Sequence, residues 1–446
     1  MGTSTRFSRV GFVCAWAGSA IAAPALAAGH LEPDQADATF GHVVASAGDV
    51  NGDGFDDVAV GAPGYITTQF YTGAAFVHLG SAAGLDPTAA WIGDPGPEVG
   101  SYGTSVASAG DVNGDGFDDL IVGDPDAGDT QSTEGAVHLY LGSSLGLEST
   151  PSRSAWSGNQ LARLGESVAS AGDVNGDGFD DIIVGAPLYS NDTPEEGRAF
   201  VFHGSASGLG ATPAWSAESD QQRSEFGHSV ASAGDVNGDG FDDVVVGARY
   251  YDGAQTTAGR AYVYLGSAAG LERTAVWIAE SVQSGAQFGT SVASAGDVNG
   301  DGFDDLIVGE PWFTDGHADE GRVNLFLGSA SGPELTATWT AESDTVGAGF
   351  GRSVASAGDV NGDGFDDVFV GSTYVGFAAV FLGQPGGLGA SAAFTASSGQ
   401  PDSGFGQSVA SGGDIDGDGR LDLLVGAPAF DHGEVDEGRL YVYIRR

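Results

Sequence analysis

The nine-residue string DVNGDGFDD begins at Asp49, Asp111, Asp173, Asp235, Asp297 and Asp359, and a variant, DIDGDGRLD, begins at Asp414. The first five intervals are 62 residues each and the last is 55. A fixed period of this size means supersecondary units that stack or close into a ring, because one unit cannot bury its apolar face alone. Solenoid repeats run at roughly 20 to 45 residues, and four-stranded propeller blades need roughly 40 to 60.

Each copy reads as strands. Small residues precede the acidic string, as in Ser229-Val230-Ala231-Ser232-Ala233, and suit the crowded axis of a propeller. A short apolar run follows it, such as Val244-Val245-Val246 or Ile182-Ile183-Val184, as expected of a strand covered on both faces. A third run alternates aromatics at period two: Phe200 and Phe202, Tyr262 and Tyr264, Tyr441 and Tyr443. A fourth carries Trp91, Trp156, Trp215, Trp277, Trp339 or Phe394. Glycine-rich turns separate these runs and no helical period persists. The predicted fold is all-β, a seven-bladed β-propeller of four-stranded antiparallel blades with a calcium loop in each blade. Open ends would expose strand edges, so the ring must close. The last copy ends on its third strand, and the spare sequence for its fourth is Ala28 to about Asp37, with Leu31 as the substitute for the missing aromatic.

The acidic strings read as ligand loops. In the first copy, Asp49, Asn51, Asp53 and Asp57 supply side-chain oxygens at positions one, three, five and nine, and Phe55 supplies its carbonyl at position seven. A hard cation such as Ca²⁺ takes this set from one tight loop, and Gly54 permits the sharp turn. The same positions hold Asp111, Asn113, Asp115, Phe117 and Asp119, then Asp173, Asn175, Asp177, Phe179 and Asp181. Next come Asp235, Asn237, Asp239, Phe241 and Asp243, then Asp297, Asn299, Asp301, Phe303 and Asp305. The last two sets are Asp359, Asn361, Asp363, Phe365 and Asp367, and Asp414, Asp416, Asp418, Arg420 and Asp422. Position eight is Asp56 in the first copy but Leu421 in the last, which argues against a ligand there. An EF-hand or dockerin loop needs an acid at position twelve, where every copy has valine, from Val60 to Val425. With four acids per loop the strings hold 7 × 4 = 28 of the 61 acidic residues, so seven Ca²⁺ ions would offset +14 of charge.

The start of the chain reads as a secretory signal peptide over 1–27. Arg6 and Arg9 precede an apolar stretch from Val10 to Ile21, and Ala25 and Ala27 form a cleavage site. Cys14 falls inside that stretch, so the expected mature chain, 28–446, has no cysteine and no disulfide. It has no further run of membrane-spanning length, so a secreted, extracellular or cell-surface monomer is expected. Cleavage would take the net charge from −46 to −48, through loss of the two arginines. So acidic a surface argues against nucleic acid and anionic lipid as partners.

With Phe40-Gly41 before the first loop and Gly61-Ala62-Pro63 after it, the unit resembles the FG-GAP repeat of integrin α-subunit propellers and of bacterial secreted proteins. The first signature recurs as Tyr102-Gly103, Leu164-Gly165, Phe226-Gly227, Phe288-Gly289, Phe350-Gly351 and Phe405-Gly406. The second recurs in full at Gly185-Ala186-Pro187 and Gly426-Ala427-Pro428. The resemblance implies calcium loops on the lower face and partner docking on the upper face, where the loops between strands two and three emerge. All seven copies here carry the metal loop, whereas integrins carry it in only some. No leg region or inserted domain is visible, so integrin-style signalling is not implied.

The resemblance sets the ring from Phe40 to Phe405 near the upper mouth, either packed between blades or forming a cup for a partner's cationic side chain. Variable loops between strands two and three hold Tyr65, Phe70, Tyr71, Tyr189, Tyr250, Tyr251, Trp312, Phe313, Tyr374 and Phe430. Of these, Tyr250, Tyr251, Trp312 and Phe313 are the candidate partner-binding residues. The sixth interval is seven residues short, and the whole loss falls in such a loop. Catalysis finds little support: His78 and His138 occupy strand positions, His42 and His228 lack a matching nucleophile, and no P-loop or G-x-S-x-G is present. The expected function is binding of an extracellular protein or surface, as in adhesion. A calcium-dependent lectin taking a glycan is the alternative.

Overall fold

A computed structural model describes residues 6–7, 26–67, 72–94, 100–128, 133–191 and 193–445. The predicted architecture is observed: seven antiparallel sheets in chain order, each built from an inner, a second, a third and an outer strand. Among the described residues there is no helix, and so none long and apolar enough to cross a membrane. Blade four shows the pattern: Phe226–Gly234, Asp243–Ala248, Arg260–Tyr264 and Trp277–Glu280. Its second strand is buried throughout, because neighbouring blades cover both faces, which explains the unbroken valine run. Consecutive inner strands touch around the ring, and Val409–Gly413 of blade seven meets Val43–Gly48 of blade one.

The two signatures are where blades meet. Phe40, Tyr102, Phe226 and Phe405 are fully buried, and Leu164, Phe288 and Phe350 nearly so. The ring is therefore packing between blades, the first of the two readings, and these side chains form no cup. The first glycine of the GAP signature explains itself: a Cβ on Gly61 would stand 2.0 Å from the carbonyl oxygen of Gly103, the FG glycine of the next blade. Backbone meets backbone there, so no side chain fits.

Blade seven closes the ring with the chain's own start. Leu26–Glu32 pairs antiparallel with Arg439–Arg445, so that Ala28 faces Tyr443 and Leu31 faces Leu440. Residues 6–7 bridge the outer side of this strand. The apolar part of the predicted signal peptide falls on residues 8–25, outside the described residues. One detail of the closure expectation is corrected by the register. Trp215 pairs with Val201 in blade three, and the matching partner of Val442 is Gly29. The aromatic's place is thus taken by glycine, while Leu31 fills the place of Ala217 and is fully buried. The short sixth copy has second and third strands, Asp367–Ser372 and Phe377–Phe381, joined by only four residues, with the Gly376 N–H bonded to the Ser372 carbonyl at 3.0 Å.

Candidate metal centre

Each acidic string joins the inner strand to the second strand, and the seven loops form a circle at one end of the ring. In the first loop Asp49 organises the backbone. Its Oδ1 accepts the Gly52 and Asp53 N–H groups at 2.7 and 3.0 Å, and its Oδ2 accepts the Gly54 N–H at 2.8 Å. Asp53 Oδ1 accepts the Phe55 N–H at 3.1 Å. Asn51 Oδ1 is buried and has no hydrogen-bond partner. In the seventh loop Asp414, Asp416 and Asp418 each bring a carboxylate oxygen within 4.8 Å of the others.

Position nine is the most constrained. Asp57 is fully buried; its Oδ2 accepts the Val50 N–H at 3.1 Å and its Oδ1 accepts the Gly80 N–H at 2.9 Å. Burial drives its pKa up to about 7 against the pull of those two donors, and Asp53 and Asp49 push the same way. Asp119, Asp181, Asp243, Asp305 and Asp422 behave alike, and Asp367 reaches about 8. A circle of buried carboxylates facing other carboxylates, with an unbonded amide oxygen among them, has the donors that a hard divalent cation takes. The residues fit Ca²⁺.

Positions seven and eight turn out to join neighbouring loops. The Phe117 ring covers Gly52 of the preceding loop so closely that a Cβ there would lie 2.6 Å from Cε1, and Phe55 covers Gly417 in the same way. Asp118, at position eight, accepts the Asp49 N–H of the preceding blade through Oδ2 at 2.8 Å, and its own N–H is bonded to the Asp49 carbonyl at 3.2 Å. The reciprocal pair recurs for Asp180, Asp242, Asp304 and Asp366, and Asp56 closes the ring onto Asp414 at 2.7 Å. At the junction of blades six and seven, Leu421 lies against Gly358 instead. Sequence comparison set position eight apart from the ligand positions but did not reveal this bond. The recurrence of aspartate in six of seven copies was the available signal. Replacing Asp242 by Ala strands the Asp173 N–H and is expected to cost about 1–3 kcal/mol, while Asp242→Asn keeps the acceptor and most of the stability. Denaturant melts of both variants, with calcium stoichiometry measured alongside and expected unchanged, check this.

The expected partner-binding aromatics are placed at the other end of the blades. Phe313 is buried, with the Arg322 guanidinium 3.5 Å from its ring centre. Tyr251 is half-buried under Arg260 at 3.7 Å. Tyr189 and Phe430 are capped likewise by Arg198 and Arg439. In blades three, four, five and seven the aromatic after the GAP position therefore packs against an arginine of its own blade, which corrects the expectation that Phe313 is free to meet a partner. Tyr250 and Trp312 are half-buried, and Trp312 leans on Tyr374 across blades with ring centres 5.3 Å apart. Phe70 and Tyr71 lie outside the described residues. His78 and His138 are buried, bonded to the Asp86 carbonyl at 3.0 Å and to Ser154 Oγ at 2.8 Å, and burial lowers both pKa values to about 4.

The comparisons with known proteins agree with this geometry. The FG-GAP repeat model matches seven times, at residues 40–78, 102–140, 164–202, 226–264, 288–325, 350–394 and 405–443. Integrin alpha-5 of Xenopus laevis is 33% identical over 241 residues, covering 51% of this chain and 21% of that protein. Integrin alpha pat-2 of Caenorhabditis elegans is 35% identical over 240 residues, or 50% of this chain and 19% of that protein. Integrin alpha-V of Gallus gallus is 35% identical over 219 residues, or 46% and 20%. The chain thus spans about a fifth of the length of these relatives. A chain in the crystal structure of BBS1N in complex with ARL6DN, soaked with mercury, shares the fold at a TM-score of 0.53 and 11% identity, covering 91% of this chain and 94% of that one. Seven matched repeats in one closed ring make this chain a member of the FG-GAP repeat family with an integrin-α-like propeller.

Proposed function

We propose that this chain is a secreted, calcium-loaded propeller that binds an extracellular protein or a surface, as an adhesion module does. The observation carrying the calcium reading is the buried, unbonded Asn51 Oδ1 among carboxylates. Asp49, Asn51, Asp53 and Asp57, and their equivalents in the other six loops, would hold one ion each, joined by the carbonyl at position seven. The ion supplies positive charge that lets the position-nine carboxylate stay ionised while buried. Similarity to integrin α chains supports binding as the use of the scaffold. Cleavage of the predicted signal peptide after Ala27 would leave Ala28–Leu31 to pair with the last blade. Partner contact is assigned to the loops between second and third strands, away from the metal, with Tyr250 and Trp312 as the anchors. The sugar-binding alternative has no specific observation behind it.

Beads coated with the mature protein are expected to adhere to cultured cells or extracellular matrix in calcium and to detach in chelator. Combined Tyr250→Ala and Trp312→Ala substitution should reduce adhesion several-fold with an unchanged melting temperature. Adhesion indifferent to both calcium and these substitutions would place binding elsewhere or exclude it.

A further inference from the structure

Where the ring closes, ligand-type side chains from the two ends of the chain converge. Glu32 ends the closing strand, and His432 and Glu437 lie in the loop joining the second and third strands of blade seven. One donor atom of each lies within 4.8 Å of the other two. Glu32 is divided between two partners: Oε2 accepts Arg439 Nε at 3.0 Å, and Oε1 faces His432 Nδ1 at 2.7 Å. Glu437 is fully buried, and both its carboxylate oxygens lack a hydrogen-bond partner.

Two counterparts among the described residues are not bare in this way. The equivalent Glu196 and Glu320 accept loop N–H groups from Asn191 at 3.0 Å and Asp315 at 2.6 Å. The His432 N–H eases Glu437 without meeting hydrogen-bond geometry, while burial and Glu32 push its pKa up to about 7. Two buried carboxylates, one of them bare, therefore face an imidazole whose ring is largely exposed. A cation that binds both carboxylates removes the repulsion and satisfies the bare group.

We propose that Glu32, His432 and Glu437 form a site for a borderline divalent metal, zinc in the first instance, which clips the N-terminal strand to the last blade. Two carboxylates and one imidazole suit zinc, with a further position open to water, whereas Ca²⁺ prefers six to eight oxygens. Two carboxylates balance the ion's charge. Arg439 orients Glu32 from behind, as outer-shell partners do. His432 binds as the neutral ring, so a proton on Nδ1 leaves or moves to Nε2 when the metal enters. The site lies at the opposite end of blade seven from its acidic loop, and the clip holds residues 400 apart in sequence.

The test uses the mature chain without a histidine tag, in saturating calcium so that the acidic loops are filled. Zinc chloride is titrated calorimetrically, with cobalt as a coloured substitute. One zinc per chain and a raised melting temperature are expected. His432→Ala and Glu437→Gln should each weaken zinc binding at least about tenfold and leave the calcium-dependent melting shift in place. His317→Ala is the control: His317 forms a similar group with Glu320 and Asp344, but Glu320 is already bonded to a loop N–H, so the zinc isotherm should not change. Absence of stoichiometric zinc, wild-type affinity in His432→Ala, or loss of zinc in His317→Ala each overturns the proposal. Because the His432 side chain is largely exposed, that variant decides the matter even if Glu437→Gln folds poorly.

Discussion

Removal of calcium should lower the melting temperature by on the order of 10–20 °C. Extracellular sites bind with dissociation constants of about 10⁻⁴ to 10⁻³ M. In about 10 mM calcium each such site stabilises the native state by roughly 1.4–2.7 kcal/mol. Seven independent sites then sum to about 10–19 kcal/mol, which rivals the 5–15 kcal/mol net stability of an ordinary domain. Spread over about 420 residues that energy converts to the stated shift. The direction follows from the buried Asp57 and its six equivalents, which without a cation must either take up a proton or face their neighbours charged. Calorimetric melts with calcium and with chelator measure the shift, and a titration should count about seven ions. Asp235→Ala, in one loop, should remove one ion and about a seventh of the effect. A melting temperature indifferent to chelator would sink the reading of all seven loops together.

Deleting Ala28 to Asp37 should abolish a soluble monomer. The segment's loss leaves Arg439–Arg445 as an open edge in the last blade, ready to pair with another chain. Leu31 leaves a cavity in a packed cluster with Phe40, Val60 and Leu440. Arg439, only 7% exposed in the intact ring, loses its partner Glu32. The single substitutions divide the effect: Leu31→Ala is expected to cost about 2–5 kcal/mol, and Glu32→Ala about 3–5 kcal/mol. Size-exclusion chromatography and denaturant melts read both. A truncated chain that stays monomeric and melts like the intact protein would show that the ring does not depend on this strand.

The junction between blades six and seven has a different contact. Elsewhere the position-eight aspartate ties a loop to the one before it, but Leu421 cannot accept the Asp359 N–H. The outer strand of the same blade lacks the tryptophan that ties blades one, three, four and five to the next blade. Trp215 donates its indole N–H to the Glu272 carbonyl at 2.9 Å and Trp277 to Glu334 at 2.8 Å, whereas Gly29 has no side chain with which to do so. Blade seven thus lacks two of the repeated ties, and the closing strand and the Glu32–Arg439 pair hold it instead.

Much of this protein was legible in its residues because the architecture is repeated. Six copies of one string and a seventh variant determined the blade number, and period-two aromatics with apolar runs determined the strands, since each blade meets nearly the same environment. The loop glycines and acids are local chemistry, readable within nine residues. The fourth strand of the last blade is Leu26–Glu32, which pairs with Arg439–Arg445. What the sequence could not supply were relations between blades, because those pair residues about 60 apart or at opposite ends of the chain. The Asp118–Asp49 bond was decided by how neighbouring sheets pack, the arginine caps over Tyr251 and Phe313 by side-chain packing within a blade, and the Gly29 register by the pairing of the N-terminal strand with the last blade. So was the meeting of Glu32 with His432 and Glu437, which only ring closure brings together.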